Sequence, residues 1–413
     1  MKAYRPARLI AFLFLLPLLL LSACKDEVTR TRTYHARVPF YLSVSDLRAQ
    51  VSAVQAPQEL SVPGQIYIYG NYLFISEVNK GIHIVDNTNP ASPRFISFIN
   101  IAGNADMAVN SNILYADNYV DLLAFDISNP AHIVPVKRVE NVFENHYVDQ
   151  TKGLILGYRD TVITEVVSGS YPGNIYYDAA SPNANSTGGE SYGTGGSTAR
   201  FTLMNDHLYT VDHYSLKLFN TSIPKEPTFI TKINLGWGIE TIFPYQDKLF
   251  IGSTTGMHIY DAANPAAPVK LSTYRHVTSC DPVVVQGKYA YVTLRSGNFC
   301  QQGVNLLEVL NIEDASNPKL VSSFPMQNPH GLSVSNSNLF ICEGQFGLKA
   351  FNSSDVLTIG QKQLSFLTDI DAKDVIAGPK SLIVTGVKGI YQYNYSNPSS
   401  LKLLSHLSLN NDL

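Results

Sequence analysis

Short apolar strand cores recur along the chain at Leu73-Phe74-Ile75, Leu114-Tyr115-Ala116, Leu154-Ile155-Leu156, Leu208-Tyr209-Thr210, Leu249-Phe250-Ile251, Tyr289-Ala290-Tyr291, Leu339-Phe340-Ile341 and Leu382-Ile383-Val384. Successive copies lie 41, 40, 54, 41, 40, 50 and 43 residues apart, one period with a long third and a long sixth unit. All but the third are followed by a second strand that ends in Asp or Asn, as in Ile82-His83-Ile84-Val85-Asp86 and Leu216-Lys217-Leu218-Phe219-Asn220. Asn-Pro pairs come next at Asn89-Pro90, Asn129-Pro130, Asn264-Pro265, Asn317-Pro318 and Asn397-Pro398. An Asp or Asn side chain accepts from the backbone N–H two residues on, and proline forces the residue before it out of the helical region, so each of these sites predicts a turn. A further strand follows the turn, as in Arg94 to Phe98 or Lys319 to Phe324, and a short one precedes each core, as in Met107 to Val109. Four short strands per unit of this length, with no helical period between them, predict an all-β fold: a β-propeller of four-stranded blades. The copies predict eight blades, with seven as the alternative if the third unit has lost its outer strands.

The strand Ile82-His83-Ile84-Val85-Asp86 and its repeats resemble the LVIVD repeat family of bacterial and archaeal surface proteins, over roughly Gln65 to Leu407. The resemblance implies a propeller. It carries no catalytic residues that transfer to this chain, so function has to be argued from sites.

At the N-terminus Lys2, Arg5 and Arg8 precede the apolar run Leu9 to Leu21, which stops at Ser22 and Ala23. This is the pattern of a signal peptide over 1–23. No other stretch approaches the roughly 20 apolar residues of a spanning helix. Leu21-Ser22-Ala23-Cys24 resembles the lipobox of bacterial lipoproteins, which implies acylation of Cys24 and membrane attachment. Lys25-Asp26-Glu27 looks like the signal that directs Bacteroidetes lipoproteins to the outer face of the outer membrane; a periplasmic face is the alternative. The expected organisation is a leader over 1–23, an anchored tether with a short helix over 24–64, and a propeller over 65–408. In the tether, Ser45 is placed to cap a helix over Asp46 to Val51. Arg37 to Val44 reads as extended, either as an added outer strand or as plain tether.

The pattern breaks in two places. Residues 181–199, rich in Ser, Gly and Asn, read as a flexible surface insertion. Within them Gly189-Glu190-Ser191-Tyr192-Gly193 matches a nucleophile elbow only formally, because no strand precedes it and no helix follows. In the sixth unit, Cys280 and Cys300 fall at the same end of the predicted blade. They either pair, closing the loop with about 3 kcal/mol of stabilisation, or stay free. Cys342 lies in a core strand and reads as a buried small hydrophobe.

Aligned on the apolar cores, the residues that open the innermost strands are Gln65, Asp106, His146, Arg200, Glu240, Asp281, His330 and Asp374. Eight blades would place them around one mouth of the central channel, with Trp237, the only Trp, nearby. Two His with several carboxylates offer ligands for Zn²⁺, Mn²⁺ or Ca²⁺ and an acid–base pair; the same polar residues also suit the wet lining of a channel. No His-x-x-x-His or EF-hand spacing occurs, so no cofactor is assigned, with a divalent metal at the mouth as the alternative. His83 and His258 read as ordinary strand residues.

Charge narrows the partners. With 30 Lys and Arg against 33 Asp and Glu in 413 residues, there is no basic stripe for phosphates, which argues against nucleic acid. The expectation is a surface-anchored, non-enzymatic propeller that binds a glycan or protein. A hydrolase or lyase acting at the polar ring and a periplasmic outer-membrane assembly scaffold are the alternatives.

Overall fold

The computed structural model describes residues 29–50, 54–143, 148–149, 151–168, 194–275, 282–296 and 304–410. Cys24, His146, Cys280, Asp281, Cys300, the signal peptide and the Gly189–Gly193 pentapeptide lie outside them. The chain divides into two compact units. Among the described residues no helix is long and apolar enough to cross a membrane.

The larger unit, 48–146 with 183–413, is a propeller of seven blades. Each blade is an antiparallel sheet whose strands pair in chain order from the innermost outward; in blade one these are Pro63–Tyr69, Tyr72–Glu77, Gly81–Asp86 and Arg94–Asn100. The remaining blades open at Met107–Asn110, Phe201–Met204, Ile239–Tyr245, Val283–Gln286, Leu332–Ser335 and Ala372–Ala377. Because the two middle strands of a blade are covered on both faces by neighbouring blades, their burial is continuous rather than alternating. Leu73, Phe74, Ile75, Ile82, Ile84 and Val85 are all fully buried.

The ring closes without exchanging a strand between its ends. One apolar cluster joins Ile66, Leu73 and Val85 of blade one to Ile376, Ile383 and Ile390 of blade seven. Asn87 and Gln392 add a reciprocal pair of amide hydrogen bonds at 3.0 and 2.8 Å. Val54–Gln55 extends blade one by a short outer strand against Phe98 and Ile99.

The Asp/Asn signature does what its chemistry predicts in all seven blades. The side chains of Asp86, Asp126, Asn220, Asp261, Asn311, Asn352 and Asn394 each accept the amide two residues on. The turns also fasten neighbouring blades: Ser97 donates to the Pro130 carbonyl and Ser405 to that of Pro90, at 2.7 and 2.6 Å.

The third repeat decides between the two expected counts: seven blades form, as in the alternative, and the count of eight is corrected. Leu154-Ile155-Leu156 belongs to the long strand Gly153–Ser168, which lies in the smaller unit, 1–47 with 147–182, and pairs antiparallel with Thr29–Leu42. The segment expected to be extended over 37–44 is thus the partner of the missing blade's strand. A repeat without its third and fourth strands has no sheet to bury both its faces, and a ribbon with the N-terminal segment uses its hydrogen-bonding edge instead. Gly153, with φ +95°, is required at the crossing, since a Cβ there would sit 2.4 Å from the Leu42 carbonyl oxygen. The short helix forms two residues earlier than predicted, over Val44–Ala49, and Ser43 rather than Ser45 caps it, accepting the Asp46 amide at 3.0 Å.

Candidate functional site

The first strands of the blades begin at one face of the ring, the face that also carries the turns between second and third strands and the connections from blade to blade. The centre of the ring at this face is filled by the chain itself. Residues 194–200, at the end of the segment expected to loop out over 181–199, run instead along the inner strands. Thr194 and Gly195 pair with Ile68 and Tyr67 of blade one as an extra innermost strand. Ser197 accepts the Leu332 amide of blade six at 2.9 Å, and Thr198 donates to Asp374 of blade seven at 2.8 Å. The Ala199 carbonyl accepts from Ile242 of blade four at 2.8 Å, and the Arg200 and Phe201 amides reach Asp106 of blade two at 2.6 and 3.0 Å. Gly196 is obligatory in this path, because a Cβ would lie 1.7 Å from Asp374 Oδ2. An insertion rich in Gly and Ser is suited to such a path: it has the least side-chain bulk to fit between converging strands.

This path decides what the ring residues can do. Asp106 is buried and accepts three backbone amides, from Met107, Arg200 and Phe201. Removal from water outweighs these bonds and pushes its carboxyl up to about 7. Asp374 is raised to about 7 by the same loss of water, against hydrogen bonds from Thr198 and Ser197. Asp117, which accepts the amides of Ala105 and Asp106, is lifted to about 6 by burial, with Arg200 among the groups that oppose the shift. His330 donates its backbone amide to the Cys342 carbonyl at 2.7 Å. Burial first, then the positive charges of Arg295 and Lys373, hold its imidazole down at about 3, so the ring is neutral at physiological pH. Gln65 is buried, and Arg200 and Glu240 are half-buried. The structure therefore brings the Arg200 amide onto Asp106 and sets Asp374 beside the Gly331 that follows His330; the Gly331 N–H donates to the Lys373 carbonyl at 3.0 Å. Among the described residues no group of three or more His, Cys, Asp or Glu is arranged to hold a metal ion.

Sequence reasoning missed a second set of polar residues at this face. Glu77 accepts from the Ser61 and Val62 amides and from His83 at 3.1 Å; burial opposes ionisation, but these bonds win and hold it down at about 2. Glu343 repeats the arrangement, taking the Gln327 and Asn328 amides at 2.9 and 2.6 Å and Lys349 at 2.7 Å. Asp212 pairs with the buried Lys217, whose ammonium lies 5.7 Å from the Phe143 ring centroid. The shared signal was an acid closing the second strand six residues before His83 or Lys349 and five before Lys217. Glu77 and Glu343 tie the chain entering their blades to the turn beside it, whereas Asp212 bonds within its own turn. His258 is likewise structural: it bonds Thr273 at 2.9 Å and is pushed down to about 4 by burial. Cys342 is buried with a free thiol, as its strand position predicted.

Trp237 is open to solvent. It is 66% exposed, on the connection from blade three to blade four. Gly236 and Gly238 flank it with φ of +95° and +87°. Backbone bonds pin the loop on both sides: Leu235 N–H to Tyr214 O at 2.8 Å, and Gly238 N–H to His213 O at 2.9 Å. Asp212 holds the His213–Tyr214 turn in place through the Tyr214 and Ser215 amides, at 2.9 and 2.8 Å. His213 and Tyr214 are exposed beside the loop. At the opposite face, a cavity of about 210 Å³ lies between the turns of blades one and two, lined by Tyr69, Tyr72, Asn112 and Pro130 among others.

The LVIVD repeat model matches residues 64–100 and 102–141, the first two blades. No curated protein matches the chain. Among solved structures, the periplasmic gluconolactonase PpgL of Pseudomonas aeruginosa is similar in fold, with a TM-score of 0.54 and 9% identity over 85% of this chain and 97% of its own. The computationally designed protein Ika8 gives 0.54 and 8% over 86% and 91%. A protein from Lactobacillus plantarum gives 0.50 and 11% over 81% and 95%. Identities this low carry the architecture alone, whereas the repeat match rests on the strand and turn residues described above. The chain carries two LVIVD repeats, in its first two blades, and folds as a seven-bladed β-propeller.

Proposed function

We propose that this protein is a non-enzymatic binding propeller, attached to a membrane through an acylated Cys24 and displayed at the cell surface, that holds a glycan or protein partner on the face carrying Trp237. The observation that carries this reading is the presentation of Trp237. A large aromatic side chain left two-thirds exposed on a loop pinned at both ends has apolar area to bury against a ligand, and a rigid aromatic loses little entropy when it is covered. The flat indole, with His213 and Tyr214 beside it, suits the apolar face and hydroxyl rim of a sugar ring, so a glycan is the first ligand to test. The enzyme reading needs the ring carboxylates at a reacting centre. Hydrogen bonds from residues 197–201 to Asp106 and Asp374 favour binding over that reading.

The experiment is a titration of residues 25–413 with a glycan panel, read by tryptophan fluorescence and thermal shift. Trp237 is the only Trp, so every change in indole emission reports this loop. A ligand that binds only the folded state stabilises by about 2.7 kcal/mol at a hundred times its Kd. A thermal shift with a matching fluorescence change, both lost in Trp237→Ala, supports the reading. A shift lost instead in His330→Ala, with emission unchanged, would return the site to the ring. Metabolic acyl labelling of wild type against Cys24→Ser tests the anchor, and protease shaving of intact cells tests which side of the membrane the body faces.

A further inference from the structure

The ribbon of the smaller unit has an edge without a strand. Gly153–Ser168 pairs with Thr29–Leu42 along one side, while Val148–Asp149 covers the other side only at Gly153 and Leu154. From Leu156 to Ser168 the second edge has no partner strand among the described residues. Proteins blunt such edges with Pro, charged side chains, Lys above all, or a bulge, yet Thr161-Val162-Ile163-Thr164-Glu165-Val166-Val167 holds neither Pro nor Lys, carries the single charge of Glu165, and is otherwise β-branched. On one face Val162 and Val166 are 55% and 69% exposed. Thr164 sits between them and meets Thr33 across the ribbon at 3.2 Å.

We propose that this edge pairs antiparallel with the same edge of a second copy, about a two-fold axis at Thr164. The sequence is self-complementary about that point. The axis places Thr164 opposite its own copy and Val162 opposite the partner's Val166, which continues one Val/Thr face across four strands. On the other face Glu165, whose register partner within the ribbon is Arg32, comes opposite the partner's Ile163, so no like charges meet. Pairing satisfies the open row of backbone donors and acceptors and covers both exposed valines together. A non-identical strand would also satisfy the backbone, but the symmetric placement of Val162 and Val166 about Thr164 selects the second copy.

The test is the mass of residues 25–413 by size-exclusion chromatography with light scattering across a dilution series. Wild type is expected to dimerise. Val162→Lys combined with Val166→Lys puts like charges opposite each other at both symmetric positions and should weaken the dimer at least tenfold. Val162→Lys combined with Val166→Glu puts opposite charges there and should restore it. Both positions are exposed in the single chain, so circular dichroism should stay native in each variant. A monomeric wild type overturns the proposal, and protection of the 161–167 amides from hydrogen exchange in that monomer would assign the edge to a segment of the same chain. A dimer equally strong in the Lys/Lys variant would place the interface elsewhere.

Discussion

The Thr198 hydroxyl donates to Asp374 across 2.8 Å, joining the segment that enters blade three to the innermost strand of blade seven, 176 residues away in sequence. Blades of a propeller otherwise touch only their neighbours. This contact and its companions at Leu332, Ile242 and Asp106 tie non-adjacent blades through the centre, so residues 194–201 act as an internal brace.

Gly196→Ala should therefore destabilise the whole propeller. The new Cβ would overlap Asp374 Oδ2, and relief requires moving either the brace or the inner strand of blade seven. A loss of about 1–3 kcal/mol is expected in urea unfolding, with one cooperative transition retained. Gly70→Ala is the comparison: Gly70 sits at a positive φ, which Gly196 does not, but a Cβ there meets nothing within 4 Å, so it reports backbone strain without a clash. An unchanged midpoint in Gly196→Ala would show that the centre yields freely.

Asp106 and Asp374 impose a pH dependence of definite sign. Each titrates near 7 in the folded chain against 3.8 for an unperturbed Asp. Between those values the native state binds more protons than the unfolded state, so the contribution of these groups is full below about pH 3.8 and is lost as pH rises through 7. Glu77, held at about 2 against 4.5, works the other way: its contribution is present above 4.5 and lost as pH falls through 2. Unfolding free energy measured from pH 4 to 8 should fall less steeply in Asp374→Asn than in wild type. Superimposable slopes would show that the Asp374 carboxyl titrates normally.

The buried pair of Glu343 and Lys349 predicts a strong non-additivity. Glu343→Ala leaves Lys349 without its counter-charge and the Gln327 and Asn328 amides without an acceptor. The expected loss is about 3–5 kcal/mol. Lys349→Met removes the charge that has to be neutralised, so Glu343→Gln with Lys349→Met should cost much less than the two single changes summed. A double-mutant cycle by chemical denaturation gives the coupling directly; additivity within about 0.5 kcal/mol would mean the charges do not interact.

Trp237→Ala should leave stability within about 0.5 kcal/mol of wild type, since the ring is mostly in water. Gly238→Ala should not be neutral. Its Cβ would meet Thr254 Oγ1 at 2.2 Å in a backbone conformation that favours glycine. Thermal unfolding of the two variants separates the role of the side chain from that of the loop that presents it.

Much of the architecture was legible because each blade is a local hairpin series. The Asp or Asn that ends each third strand caps its own turn two residues on, within reach of a sequence reading, and seven such turns are present. The third repeat lacked that residue, and it is the copy that forms no blade. Asp106 and Arg200 stand just before the innermost strands of blades two and three and Asp374 lies within that of blade seven, but the sequence reading left the centre between them as an open channel. Which groups would fill it could not be read, because the filling segment is distant in sequence from every blade it touches except its own.

The sequence alone determined the strand pattern, the turn chemistry and the repeat, since these depend on neighbours a few residues apart. Only the tertiary structure decided three things: seven blades rather than eight, a ring centre occupied by residues 194–200, and the pairing of the orphan third repeat with the N-terminal segment. Each depends on which hydrogen-bonding edge or carboxylate finds a partner from about forty to well over a hundred residues away, and period and composition carry no record of that choice.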